Sequence, residues 1–296
     1  MTAFADRLID AVRRNGAPLC AGLDPFPDKI PALFARKGDA LAAVADFCAA
    51  YMEIAAGRAA CLKPQLGLFE RFGPDGYALA RDVTRSARAR GMIVLLDAKR
   101  GDIGTTADGY AAAAFDPHPA FDADALTVNP YLGWDSLEPF VAAAEARDRG
   151  VIVLARTSNP GAADVQDIAD ARGPVWAHVA AMLAAHAPRL AGESGWSGLM
   201  IVAGATWPQD AARLRAALPT SLFLVPGYGA QGAGAADAVA GFAQSPEGRV
   251  GGVVSASRAL LYPDAAQRAG NLQSWREAVA AAFDRANAEL RAACRA

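Results

Sequence analysis

The sequence predicts a parallel (β/α)8 barrel, and three observations support this fold. Short apolar, β-branched segments alternate with stretches of helical periodicity, most of them at a spacing of roughly thirty residues. Eight such strands are predicted, which is the number that closes a barrel. No linker, low-complexity tract or repeat divides the 296 residues, so a single domain, 1–296, is expected. An open doubly wound sheet is the alternative that the same alternation allows.

The elements follow one another in a regular order. The first helix is predicted over 3–15, where Phe4, Leu8 and Val12 share one face and Asn15-Gly16 ends it. Further helices are predicted over 38–57, 75–90, 135–148, 174–187 and about 272–292. The eight strands are predicted over 19–24, 59–63, about 91–99, 123–129, 151–156, 198–203, 222–225 and 251–254. The Gly, Asp and Ser content of about 159–197 predicts a surface excursion that carries one helix.

Composition and charge exclude several classes of protein. Lys and Arg number 29 against 31 Asp and Glu, without a basic block, so neither nucleic acid nor an anionic membrane surface is an expected partner. The sequence lacks a long apolar span and a signal-peptide pattern, which predicts a cytoplasmic protein. The four cysteines lack CxxC spacing, so no zinc site or disulfide framework is expected, and Cys20 and Cys61 are predicted to be buried thiols.

Polar residues follow almost every predicted strand. In a (β/α)8 barrel the carboxyl ends of the strands form the active-site face, so these residues are expected to converge on one rim. A purely structural explanation would need a separate reason for the polar residues at each of seven strand ends. The residues concerned are Asp24, Lys63, Asp97 with Lys99, Asn129, Arg156 to Gly161, Pro226 to Gly232, and Ser255 to Arg258.

The third strand ends in a charged stretch that contains Asp97, Lys99 and Asp102. Asp97 and Lys99 lie two residues apart and share a strand face, and Lys63 is expected to reach the same centre from the neighbouring strand. Nearby carboxylates favour the charged ammonium, which suits proton donation and charge stabilisation better than Schiff-base chemistry. A structural ion pair is one alternative. A Mg²⁺ site at the two aspartates is another, although Lys99 between them would compete with the metal.

The segment from Gly227 to Gly232 formally matches the GxGxxG dinucleotide motif. That motif also expects an acidic residue after the next strand, where this sequence has Ser257-Arg258. Glycines after the seventh strand and an arginine after the eighth favour a site for one phosphate group over a nicotinamide cofactor. A plain glycine-rich turn would explain the glycines but not the arginine. The three histidines form no Ser/His/Asp or Cys/His arrangement at the rim and receive no role.

Taken together, these segments resemble the orotidine 5′-phosphate decarboxylase family. Asp97-Ala-Lys-Arg-Gly-Asp-Ile103 with Thr106 matches its DxKxxDI…T signature. The resemblance extends from about residue 19 to 260, and the DIGTT run is similar to that of the longer bacterial subfamily. The other matching segments are Gly22-Leu-Asp24, Lys63-Pro64, Ser158 in Ser-Asn-Pro-Gly, Pro226-Gly-Tyr-Gly-Ala-Gln231 and Ser257-Arg258.

The resemblance implies decarboxylation of orotidine 5′-phosphate to UMP without a cofactor or metal, in a homodimer with shared active sites. Lys99 would donate a proton to C6, and Asp97 would lie against the departing carboxylate. Asp102 and Thr106 would enter the partner's site, while Lys63 and Asp24 would hold ribose hydroxyls. The implied catalytic residues are Lys99, Asp97, Asp102 and Lys63. The implied substrate-binding residues are Asp24, Thr106, Ile103, Asn129, Ser158, Pro226, Gly229, Gln231, Ser257 and Arg258.

Two other functions remain open on the residues alone. One is a related barrel enzyme, such as a Mg²⁺-dependent sugar-phosphate decarboxylase or an aldolase. The other is a barrel that binds a nucleotide without catalysis, against which the complete set of Asp97, Lys99 and Asp102 argues.

Overall fold

All eight predicted barrel strands are present, and they close into a barrel in which every neighbouring pair is parallel. The computed structural model describes residues 2–35, 38–229 and 232–296. Each strand pairs with its neighbours in sequence, and the first closes on the eighth, which confirms the (β/α)8 barrel and excludes the open sheet. The strands are β1 Leu19–Leu23, β2 Cys61–Pro64, β3 Ile93–Arg100, β4 Ala125–Val128, β5 Gly150–Arg156, β6 Ser197–Ala203, β7 Ser221–Val225 and β8 Gly252–Ala256.

Helices surround this barrel. The longer ones are Phe4–Asn15, Ala40–Ala55, Gly73–Ala89, Gly104–Phe115, Trp134–Glu145, Val175–Ala184, Pro208–Ala217 and Leu272–Arg295. One-turn α-helices cover Gly67–Glu70, Ala163–Gln166, Ala235–Ala238, Arg258–Leu261 and Asp264–Gln267, and 3-10 turns cover Pro27–Lys29, Ala32–Phe34, Pro160–Ala162 and Ala187–Leu190. Two small hairpins pair Ala169–Asp170 with Gly173–Pro174 and Ala243–Ser245 with Gly248–Val250.

Two of the longer helices were not predicted from the sequence pattern, Gly104–Phe115 and Pro208–Ala217. The first buries a stripe made chiefly of alanines, with Phe115 at its end. Alanine has the best helix propensity but contributes little to an apolar periodicity, so the stripe is inconspicuous in the sequence. Thr106 therefore lies in the first turn of a helix that the sequence pattern did not predict.

The first helix closes the barrel interior at the amino-terminal ends of the strands. Phe4 and Leu8 pack in one cluster with interior strand residues such as Ile152 and Met200. A Cβ on Gly150 would lie 2.4 Å from the Phe4 ring, so the absence of a side chain there makes room for this plug. Cys20 and Cys61 belong to the same cluster as buried free thiols, as predicted. A second, larger cluster lies between the strands and the surrounding helices.

The stretch 159–197 has two parts with different packing. Helix Val175–Ala184 buries Trp176, Ala180 and Leu183, as an outer helix of a barrel does. The part before it, 159–174, is mostly exposed and is called the excursion below. Across residues 2–35, 38–229 and 232–296, no helix combines the length and apolar character needed to cross a bilayer.

Candidate active site

A buried carboxylate, that of Asp97, lies at the centre of the rim. Its Oδ2 accepts hydrogen bonds from Lys63 Nζ at 2.5 Å and from Gln65 Nε2 at 3.1 Å. Its Oδ1 accepts from Lys99 Nζ and from Thr127 Oγ1, the latter at 3.0 Å. The side chains come from the carboxyl ends of β2, β3 and β4 and from the residue that follows β2. The structure therefore brings three predicted residues together as the row Lys63–Asp97–Lys99.

The charges in this row stabilise one another. Burial by itself would raise the pKa of Asp97, but the ammonium groups of Lys63 and Lys99 outweigh it and hold the pKa well below its usual range. Burial would likewise lower the pKa of Lys63, but the nearby charges of Asp97 and Asp24 hold it above its ordinary value. Asp97 therefore stays a carboxylate and Lys63 stays an ammonium throughout the physiological pH range.

The backbone at Lys99 adopts a conformation that is uncommon for a residue with a side chain. Its φ is +48°, in the left-handed region. The Thr127 hydroxyl oxygen accepts from the backbone N–H of both Ala98 and Lys99, at 2.9 Å each, and donates to Asp97. Thr127 thus fixes the backbone of the lysine and the carboxylate that the lysine contacts.

Thr127 and Gln65 are residues that the sequence analysis missed. A signal was present for each, because Thr127 lies two positions before Asn129 and Gln65 two positions after Lys63. Side chains two apart on a strand point to the same face. Gln65 also continues the strand pairing past β2 through a bridge to Asp97.

Asp24, Ser257 and Arg258 lie where β1 and β8 meet. The backbone carbonyl of Asp24 accepts from the Tyr262 hydroxyl at 2.8 Å, which holds the end of β1 in place. A Cβ on Gly22 would come within 1.9 Å of Ser257 Oγ, so this glycine permits the close approach of the two strand ends. Arg258 begins the one-turn helix Arg258–Leu261 with an exposed side chain.

The ends of β5 and β7 contribute Ser158, Pro226 and Gly229. The Ser158 carbonyl accepts from Thr206 Oγ1 at 3.3 Å, and the Pro226 carbonyl accepts from the backbone N–H of Ala205 at 2.8 Å. Gly229 has a φ of +73°, which favours glycine, and its N–H donates to the Ala233 carbonyl. The predicted residue Gln231 lies outside the described residues.

Four predicted residues lie apart from the Asp97 cluster. The Asp102 carboxylate accepts from the N–H of Ile103 at 2.8 Å, and Ile103 is 58% exposed. Thr106 is exposed, as is Asn129, whose side-chain oxygen accepts from the N–H of Tyr131 at 3.0 Å. Within the part of the chain that the structure describes, Lys99 forms its ion pair with Asp97 and not with Asp102.

The fold and this site define a class of protein. The barrel is closed and parallel, and it carries fixed charges at the carboxyl ends of β2 and β3. This is the arrangement of a (β/α)8-barrel enzyme whose active site lies at the carboxyl ends of the strands.

Comparisons with known proteins identify the family. Residues 17–265 match the model of the orotidine 5′-phosphate decarboxylase / HUMPS family. Orotidine 5′-phosphate decarboxylase from Rhodopirellula baltica is 37% identical over 304 residues, which cover 98% of this chain and 100% of that protein. The chain therefore belongs to the orotidine 5′-phosphate decarboxylase / HUMPS family.

Solved structures agree with this assignment. The structure of Leishmania donovani OMP decarboxylase has a TM-score of 0.76 and 34% identity, with 98% of both chains covered. Leishmania donovani UMP synthase has a TM-score of 0.79 and 34% identity, and there the match covers 99% of this chain but only 57% of that longer one.

Proposed function

We propose that this chain decarboxylates orotidine 5′-phosphate to UMP and CO₂ in pyrimidine biosynthesis, with Lys99 as the proton donor. The chain is a carboxy-lyase of the family just named. The observation that supports the residue roles is the row Lys63–Asp97–Lys99, in which one buried carboxylate is held between two ammonium groups. We also assign the protein to the cytoplasm on the basis of this biosynthetic role.

The two lysines of the row differ in exposure, and this difference assigns their roles. The Lys63 side chain is 7% exposed and that of Lys99 is 46% exposed. Loss of CO₂ from C6 of the pyrimidine leaves a carbanion that the ring cannot delocalise, so a fixed positive charge must stabilise it. Lys99 has access to a ligand at the rim and supplies this charge and then the proton. Lys63 keeps Asp97 ionised through their buried ion pair and, together with Asp24, reaches a ribose hydroxyl.

Asp97 orients Lys99 and lies against the carboxylate that departs. Its pKa below the usual range means that it carries a negative charge in this position at neutral pH. A substrate carboxylate placed beside it experiences repulsion that ends when CO₂ leaves, provided that binding energy elsewhere holds the substrate in place.

Remote contacts supply that binding energy. Arg258, with backbone groups around Ser257, Gly229 and Pro226, is placed to bind the phosphate, because glycine-rich backbone and a guanidinium together suit an anion. By the family resemblance, Gln231 would bridge towards the phosphate. Ser158 contacts the pyrimidine from the end of β5, and Asn129 contacts the substrate from the end of β4.

The active form is a homodimer in which Asp102, Ile103 and Thr106 complete the partner's site. Two features support this arrangement. The Asp102 carboxylate accepts from the N–H of its own neighbour Ile103, and the ion pair of Lys99 is with Asp97. In addition, Ile103, Tyr131 and Leu132 are 58%, 83% and 48% exposed at the starts of two helices that pack together, Gly104–Phe115 and Trp134–Glu145. Apolar exposure of this kind is typical of a protein interface.

The reaction is tested with metal-stripped protein and orotidine 5′-phosphate, by following UMP formation. We expect turnover without added metal, and we expect Lys99→Ala to abolish turnover while UMP still binds. Lys29→Ala is the matched control, because Lys29 is exposed and contacts the Phe26 ring instead of the row.

Three results would overturn the proposal. Wild-type protein that forms no UMP would refute the reaction, and near-normal turnover by Lys99→Ala would refute the proton donor. Activity that disappears in EDTA, or borohydride trapping of a lysine adduct, would indicate one of the related sugar-phosphate enzymes instead.

A further inference from the structure

One glutamine of the excursion 159–174, Gln166, bonds twice to Thr157, the residue that follows β5. Gln166 Oε1 accepts from the Thr157 backbone N–H at 3.0 Å, and Gln166 Nε2 donates to Thr157 Oγ1 at 2.8 Å. A side-chain amide that engages a backbone group and a hydroxyl of the same residue fixes both the position and the rotation of that residue. Gln166 ends the one-turn helix Ala163–Gln166 and is half-buried.

Neighbouring groups complete the bonding of Thr157. Its carbonyl accepts from Trp207 Nε1 at 3.0 Å, and its hydroxyl donates to Asn159 Oδ1 at 2.7 Å. Thr157 therefore has a partner for its N–H, its carbonyl and its hydroxyl. Such complete bonding removes local freedom from the chain at this point.

Arg156 reinforces the attachment one residue earlier. Its buried guanidinium pairs with Asp167 of the excursion at 2.8 Å and with Asp210 at 3.0 Å, and it lies 4.0 Å from the centre of the Trp207 ring. The excursion is thus held by polar contacts on either side of one peptide bond, that between Arg156 and Thr157.

The next residue in the chain is Ser158, to which we have assigned the pyrimidine contact. Its carbonyl is bonded to Thr206, and its backbone lies so close to Gly204 that a Cβ there would come within 2.9 Å. Thr157 is fixed on one side of Ser158 and Gly204 lies against the other side. The backbone position from which the Ser158 hydroxyl projects is therefore fixed. We propose that Gln166 is a positioning residue that sets Ser158 for the pyrimidine base, so that the excursion serves base recognition; this inference rests on the proposed function.

A purely structural attachment would have a different form. An excursion that only needed to stay folded would bury large apolar side chains, but Val165 and Ile168 are 50% and 60% exposed, and the buried apolar side chain of this segment is the small Ala162. The polar contacts converge instead on the residue before Ser158.

The test compares two ligands that differ by the base, UMP and ribose 5-phosphate, in calorimetric titrations. Gln166→Leu keeps the size of the side chain and removes both hydrogen bonds to Thr157. We expect UMP to bind about three- to tenfold more weakly, as the loss of one base contact implies, and ribose 5-phosphate to bind unchanged. The matched control is Gln273→Leu, because Gln273 is exposed on the last helix and its side chain donates to Glu277, far from Thr157 in the chain. This control should leave both affinities unchanged.

Two further variants keep the inference falsifiable. Thr157→Val removes the hydroxyl from the other side of the same contact and should give the same selective loss, even if Gln166→Leu does not fold. In a Ser158→Ala background, Gln166→Leu should have no additional effect on UMP affinity, because the contact on which it acts has gone.

The outcomes separate this inference from the proposed function. Equal losses for UMP and ribose 5-phosphate, or additive effects of Gln166→Leu and Ser158→Ala, would overturn the positioning role while wild-type turnover stands. An unchanged UMP affinity in Ser158→Ala alone would overturn the base contact and this inference with it. Absence of wild-type turnover would overturn the reaction itself.

Discussion

Removal of the Thr127 hydroxyl tests how the active-site geometry is maintained. Thr127→Val preserves the shape and the β-branching of the side chain but removes the acceptor for the N–H groups of Ala98 and Lys99 and the donor to Asp97. The Thr127 side chain is almost completely buried, so a water molecule cannot simply take the place of the missing hydroxyl.

The magnitude follows from these contacts. An unsatisfied buried donor costs about 1–3 kcal/mol, and two donors are left without their acceptor. Because Ala98 and Lys99 lie at the partly exposed rim, we take the lower end and expect a loss of about 2 kcal/mol in the free energy of unfolding. The left-handed backbone of Lys99 costs about 1–2 kcal/mol, which these bonds offset, so the lysine should relax away from its position.

Displacement of Lys99 should affect turnover more than binding. A displacement of about 1 Å at a reacting group costs on the order of a hundredfold in rate, so we expect kcat to fall by that amount and KM to change little. Thr127→Ser keeps the hydroxyl and should retain most of the activity. Steady-state kinetics and denaturant unfolding measure both effects.

Thr84→Val is the matched control for this experiment. Thr84 is also fully buried, but its hydroxyl donates to the Ala80 carbonyl within the helix Gly73–Ala89 and not to the Asp97 cluster. Its loss should cost stability without affecting kcat. If Thr127→Val were as active and as stable as Thr127→Ser, the reasoning on Lys99 would be refuted.

Three further predictions concern charge. Arg258→Ala should raise KM roughly ten- to a hundredfold, because it removes charge-assisted bonds to the phosphate. The free energy of unfolding should change less than the free energy of substrate binding, and an unchanged KM would contradict the role of Arg258. Mixing inactive Lys99→Ala and Asp102→Ala chains should restore activity through heterodimers with one intact site, and no recovery despite verified subunit exchange would argue against shared sites. The pKa of Asp97 is lowered in the folded state, so the stabilisation by its carboxylate is complete above the unfolded pKa of about 4 and is lost as pH falls below that value. Asp97→Asn should therefore reduce the slope of the unfolding free energy against pH in this acid range, by up to about 1.4 kcal/mol per pH unit. An unchanged slope would refute this prediction.

The barrel was predictable because its signal is repeated eight times. Each buried strand is a short apolar run, and each run is separated from the next by enough chain for a helix, so the alternation survives errors at single boundaries. The proximity of Lys63 to Asp97 also followed, because neighbouring parallel strands end at the same rim. The helix Gly104–Phe115 did not follow, since alanines that pack well leave little trace in an apolar pattern.

The spacing of two residues between Thr127 and Asn129 indicates that Thr127 faces the rim, but the role of its hydroxyl could not be predicted. Threonine is typical of β-strands, so its presence in β4 is already explained by strand propensity, and nothing in the sequence shows that its hydroxyl faces the backbone of β3. The positive φ of Lys99 is equally invisible, because it arises from those tertiary bonds and not from local preference. The separation of Asp102 from Asp97 was implied only by the family resemblance.

The short connection between β3 and the next helix would allow one segment to serve two sites in the proposed homodimer. β3 ends at Arg100 and the helix begins at Gly104, so only three residues turn the chain away from Asp97. Arg100 fixes the start of this turn, because its guanidinium pairs with Glu70 at 2.5 Å and lies 5.5 Å from the centre of the Tyr110 ring. Before this turn Lys99 pairs with Asp97, and within it the Asp102 carboxylate accepts from the N–H of Ile103. In the proposed homodimer, any shift of the interface that moved Asp102 would also strain the segment that carries Lys99, which links subunit contact to the chemistry of both sites.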